Sequence, residues 1–271
     1  MQAVKGQRKY ATRFDFLPVG CGMKKYFALI MLALLLTGCG DDRFPDYHYK
    51  ITIYARGKSF SSVRAVEQEE VSSIQDSSGR TVHTKLKGEA VILDLPGGQT
   101  VFALLSGEDS PQQAKYIAGA ALMPMIRTVD NGPRYNDPAN NPGSTMEGNA
   151  EDEQAMEKIA GPHDLPRVRT MNALGRPYAK PVSLWPIFVS FGDPQNPKSV
   201  RKISPNAIGV DRITIEITDD DVTTGIEKRL GWLTLYSHEN RSLSGDGGNV
   251  VSTNDVRDNL ASGAFTQGNG W

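Results

Sequence analysis

Two apolar runs, Ala90 to Leu95 and Thr100 to Leu105, lie on either side of Pro96-Gly97-Gly98. Short apolar runs closed by a strong turn signal predict a β-hairpin. Successive side chains of a strand point to opposite faces, and here both phases are apolar. A strand that reads this way is covered on both faces. The hairpin is therefore expected at the centre of the core.

Other stretches show the simpler alternation of half-buried strands. Tyr47, Tyr49, Ile51 and Ile53 fall on one side of a strand, and His48, Lys50 and Thr52 on the other. Arg56-Gly57 supplies a turn, from which Phe60 to Val66 returns as a partner strand. Glu67 to Glu70 reads as a solvated strand end or loop, and Asp76 to Gly79 as a further turn. Thr81 to Lys87 alternates, with Val82 and Leu86 on one face, and Gly88 marks a bulge. Asp211 to Thr218 alternates cleanly, with Ile213, Ile215 and Ile217 inward.

Helix signals are few. Ser110-Pro111 opens a helix that Pro124 is expected to stop, with Ile117, Ala118, Ala121 and Leu122 on its sheet-facing side. Glu151 to Ile159 suits a short helix. Thr224 to Glu227 fits a capping box for a helix to Leu230, after which Trp232, Leu233 and Leu235 return to the core. The expected class is α+β: mainly antiparallel sheet with a few short helices packed on one face, in a domain at 47–237. Within it, 130–149 is a loop insert rich in Asn, Pro and Gly, and 150–237 has room for a subdomain. Residues 238–271 read as a flexible tail, with Val256 and Leu260 on one face of a helical turn that Phe265 docks.

The amino-terminal region speaks to location. Lys24-Lys25 precedes an apolar run from Tyr26 to Leu36, which ends in Leu36-Thr37-Gly38-Cys39. A basic start, a run too short to span a bilayer comfortably and small residues at a cut site make a secretory signal. The tetrad resembles the lipobox of bacterial lipoproteins. That resemblance implies cleavage after Gly38 and acylation of Cys39, which then becomes the amino terminus. Met23 is the expected start, 1–22 an upstream extension, 23–38 the signal and 39–46 a tether. Gly40, where an aspartate would favour retention in the inner membrane, implies an outer-membrane anchor facing the periplasm. Cys21 falls in the discarded part, so the mature chain keeps no pair for a disulfide. The net charge of −1 includes a basic leader, which leaves an acidic body and argues against nucleic acid as a partner.

The run "FVSFGDPQNPKSVRKISP" from Phe188, "ITIEITDDDVTTGIEKRLGWL" from Ile213 and "KGEAVILDLPGGQTVFALL" from Lys87 resemble an uncharacterised family of proteobacterial exported proteins. This resemblance implies export and carries no activity or assigned site.

Candidate chemistry is thin. His48, His83, His163 and His238 lack metal-ligand spacing, and no nucleophile elbow, phosphate loop or dinucleotide fingerprint occurs. Ser199-x-x-Lys202 matches a nucleophile motif but follows a proline-rich turn instead of opening a long helix. Asp219, Asp220 and Asp221, with Glu89 or Asp94, form the one acidic set with potential for acid/base work, although Asp221 or Thr223 also suits a helix cap. The expected role is a non-catalytic, membrane-tethered module contacting another envelope protein, with no cofactor or metal. The alternative is a periplasmic hydrolase of cell-wall glycan or peptide that uses those carboxylates. A third reading places a small apolar ligand under Ile117 to Leu122.

Overall fold

The computed structural model describes residues 44–71, 81–127, 153–171, 177–236, 242–244 and 255–268, all within one unit, Arg43–Trp271. The lipobox with Cys39, the turn at 76–79, the insert at 130–149, His238 and Trp271 lie outside the described residues.

Among the described residues twelve strands follow in chain order: β1 (Tyr47–Ala55), β2 (Lys58–Val71), β3 (Thr81–Glu89), β4 (Val91–Asp94), β5 (Thr100–Gly107), β6 (His163–Asp164), β7 (Val168–Met171), β8 (Pro177–Ser183), β9 (Pro186–Phe191), β10 (Val200–Ile203), β11 (Val210–Ile217) and β12 (Thr266–Gln267). They form a six-stranded sheet, β12-β3-β2-β1-β11-β6, a four-stranded sheet, β10-β9-β5-β4, and the ribbon β7-β8. Every pairing between these strands is antiparallel. The molecule is thus mostly antiparallel sheet with few short helices, in line with the expected sheet-dominated class.

Alternation places β1 and β11 as expected. Tyr49, Ile51 and Ile53 are fully buried, and Ile51 and Ile53 pair with Ile215 and Ile213. The β1–β2 turn has Arg56 at φ 50 and Gly57 at φ 73, the doubly left-handed form that matches the twist of a hairpin. On β2 the apolar residues mislead. The register Tyr49↔Arg64 and Ile51↔Ser62 turns Arg64 and Ser62 towards the core, while Val63 and Ala65 face outward with Lys50 and His48. Val63 is buried there because Thr223 lies beside it, exchanging two hydrogen bonds with its backbone at 2.9 and 3.0 Å.

The β4–β5 hairpin forms around Pro96-Gly97-Gly98, with Val91 opposite Ala103 and Leu93 opposite Val101. One face contributes Val91, Leu93, Val101, Ala103 and Leu105 to the core shared with β1 and β11. The other contributes Phe102 and Leu104 to a second cluster with Val189, Ile226, Trp232, Leu260 and Phe265. Each large apolar side chain buried this way is worth about 1.5–3 kcal/mol. Trp232 and Phe265 meet edge to face at 5.5 Å between centroids.

Several local expectations differ from the structure. The helix runs Ile117–Arg127, across Pro124, and Gln113–Lys115 ahead of it is a 3-10 turn. Ile117, Ala118, Ala121 and Leu122 are buried in the core as the spacing suggested. The capping box is absent: Gly225, at φ 116, precedes a 3-10 turn, Ile226–Lys228, with no capping bond from its own side chains. Leu235 is 72% exposed instead of returning to the core, although Trp232 and Leu233 do return. Part of the stretch read as a flexible tail is packed: Leu260 and Phe265 are buried, and β12 pairs with β3.

Candidate functional site

A cluster of buried polar groups lies where the chain leaves the six-stranded sheet for the four-stranded one, at Gly88-Glu89-Ala90. Gly88 adopts φ 140, and a Cβ there would sit 2.8 Å from Cγ of Arg64. The glycine therefore gives the Arg64 stem room, a close approach where the sequence suggested a bulge. The Glu89 carbonyl accepts from Ser62 Oγ at 3.0 Å and from Arg64 Nε at 3.2 Å. Its carboxylate accepts the N–H groups of Gly225 and Ile226, both at 2.9 Å. Glu89 thus ties β2 to the start of the covering segment through a single residue.

Burial sets the electrostatics. Glu89 is 2% exposed, and desolvation raises its carboxyl above the ordinary value against the pull of the two backbone N–H groups. Arg64 is fully buried. Its Nη1 reaches Tyr49 Oη at 3.5 Å, the Tyr49 hydroxyl donates to the Ala114 carbonyl at 2.5 Å, and Nη2 has no partner among the described residues. Burial pushes the Tyr49 phenol up, while the guanidinium pulls it the other way. Burying a guanidinium costs several kcal/mol unless carbonyls and hydroxyls replace its water. The cluster joins β1, β2, β3 and the turn before the helix, and its groups are engaged with backbone.

The acidic set is not assembled into one site. Asp219, Asp220 and Asp221 are exposed. Asp220 pairs with Lys50 at 2.7 Å, a contact that lowers its carboxyl and raises the lysine. The Asp220 carbonyl meets Nδ1 of His48 at 2.9 Å. Asp94 accepts from Thr100 at 2.8 Å and pairs with Arg229 at 2.7 Å. Neither Asp221 nor Thr223 caps the 3-10 turn at Ile226, because Glu89 does so from across the fold and Thr223 bonds Val63. Sequence reading picked out Glu89 as a candidate carboxylate but not as a cap, since the cap partners lie far apart along the chain.

The remaining motifs also resolve into local structure. Ser199 Oγ shares its one proton between the carbonyls of Asp193 and Asn196, at 2.8 and 2.7 Å, and accepts the Asp193 N–H at 3.0 Å, while Lys202 is ion-paired with Glu108 at 2.5 Å. His83 is exposed, and His163 bonds the Ala160 carbonyl at 3.0 Å. Among the described residues no group of three or more His, Cys, Asp or Glu could hold a metal ion. Among them, too, no helix is long and apolar enough to cross a membrane. Arg64 escaped the sequence reading altogether, and Tyr49 entered it only as an apolar-face residue of the first strand. The signal that could have found them is the β1–β2 register, which aligns Arg64 with a core tyrosine. No family model, curated protein or solved structure matches the chain.

Proposed function

We propose that the chain is a non-catalytic binding module of the bacterial cell envelope, held by acyl chains on Cys39 at the periplasmic face of the outer membrane. Residues 39–46 are its tether, and an α+β body follows, with short helices packed on one face of the sheet. The observation that carries the proposal is Leu36-Thr37-Gly38-Cys39 at the end of a basic-then-apolar leader. Two or three acyl chains on one sulfur, at about 0.8 kcal/mol per buried methylene, make release negligible. The burial of Ile117, Ala118 and Leu122 supports the helix-on-sheet part of the reading.

The non-catalytic part rests on how the carboxylates are employed. Glu89 is buried and bonded to backbone, and Asp220 and Asp94 are in surface ion pairs. A glycan hydrolase needs two carboxyl groups facing one substrate. The partner on this reading is a protein of the envelope together with the bilayer itself. Cys39→Ser is expected to abolish incorporation of a radiolabelled fatty acid and to release the chain from membranes under a carbonate wash. A serine variant that still sediments with membranes after that wash would overturn the anchor.

A further inference from the structure

The outer edge of the six-stranded sheet changes character along β3. At its end β12 covers it, with Thr266 opposite Glu89 and Gln267 opposite Gly88. Gly268, at φ 74, follows directly with its backbone against Lys87, where a Cβ would meet the lysine Cγ at 2.3 Å, and among the described residues β12 pairs no further. From Thr81 to Lys87, β3 pairs with β2 on one side and, among the described residues, with no strand on the other. At about 3.3 Å per residue this open edge runs for roughly 20 Å. An edge of that length is a template for another strand unless something blunts it. The far side of the same β2–β3 ribbon is blunted, because the Gln68 N–H donates to the Asp46 carboxylate at 2.7 Å.

Charge tells what kind of strand fits. His83, Lys85 and Lys87 are exposed on one face of β3. Behind them β2 presents Glu69 and Glu67, paired with Lys85 at 2.6 Å and Lys87 at 2.5 Å. The rows therefore run acidic on β2 and basic on β3, and an acidic row would continue the alternation. On the opposite face Thr84 is half-buried and Leu86 buried, which suits β-branched or apolar neighbours.

We propose that the Thr81–Lys87 edge docks an extended segment of another protein that carries Asp or Glu at every second position and Val or Thr between them. Main-chain hydrogen bonds along β3 supply the affinity, and the lysine row sets the register. A second copy is disfavoured as occupant, because an antiparallel β3–β3 pairing would set the basic row against itself. This deepens the reading of the chain as a binding module by naming the chemistry of its partner.

The test uses the full chain in detergent and an acetylated, amidated heptapeptide alternating Glu with Val and Thr. Amide hydrogen exchange at 81–87 is expected to slow by about tenfold or more with peptide near 1 mM, within reach of weak association. The slowing should vanish in the Lys85→Glu/Lys87→Glu double variant and with a peptide N-methylated at alternate residues. Unchanged exchange at 1 mM, equal protection by a peptide with Lys in place of Glu, or protection that grows with protein concentration in the absence of peptide would each overturn the proposal. The last outcome would assign the edge to a second copy. The mass of Cys39 in the same preparation separates the two readings: an acylated chain with an unprotected edge sinks this inference alone, and an unacylated chain with a protected edge sinks the anchor alone.

Discussion

The six-stranded sheet turns Tyr49, Ile51 and Ile53 to the core and keeps His48, Lys50 and Thr52 half-exposed on its outer face, whereas the four-stranded sheet is covered on both sides. Its second cover is built from Ile226, Leu230, Trp232, Leu243, Leu260 and Phe265, in segments with little regular structure. A sheet with one wet face advertises itself by period-two alternation. A sheet with two dry faces advertises only that a cover exists, and the cover itself leaves no periodic trace.

Three substitutions would break or sharpen that contrast. Phe265→Ala should cost about 3–5 kcal/mol in urea unfolding, because it empties the centre of the second cover against Phe102, Phe191 and Trp232. A cost below about 1 kcal/mol would mean that the cover is an ornament. Glu89→Gln should cost about 1–3 kcal/mol at neutral pH, since one buried N–H of the 225–226 pair loses its acceptor. Its pH dependence has a definite sign. A carboxyl raised by burial contributes stability that is fully present below its unfolded value and is lost as pH rises through the folded one. The wild-type advantage over Glu89→Gln should therefore be largest in acid and shrink as pH rises past the ordinary carboxylate range, read from urea midpoints across pH. An advantage that grows with pH would contradict the burial. Lys50→Ala, on the wet face, should leave the urea midpoint unchanged within error, because its pair with exposed Asp220 is screened.

What could be read from the letters follows from the range of the interactions. The β4–β5 hairpin and the Ile213/Ile215 strand rest on neighbours in sequence, and both appear where periodicity and turn chemistry placed them. Pro124 did not stop the helix: an interior proline costs about 3 kcal/mol, and burial of Ile117, Ala118, Ala121 and Leu122 in the core offsets it. Arg64 was illegible for a different reason. Its inward aim depends on pairing with Tyr49, and on β2 the apolar pattern of Val63 and Ala65 points the other way. Glu89 and its cap partners at Gly225 and Ile226 are joined only by the finished fold. The same holds for the candidate docking edge, which exists because β12 covers Gly88 and Glu89 and, among the described residues, pairs no further along β3.

The dependence of the β4–β5 hairpin on Phe265 bears on how the chain is made. The hairpin leaves the ribosome long before residue 265, and until then the lid over its Phe102 and Leu104 face is incomplete. Contacts so distant in sequence are slow to form, because chain entropy is spent before they can be rewarded. A nascent chain should therefore stay pliable until its closing residues arrive, which would suit the export proposed for it.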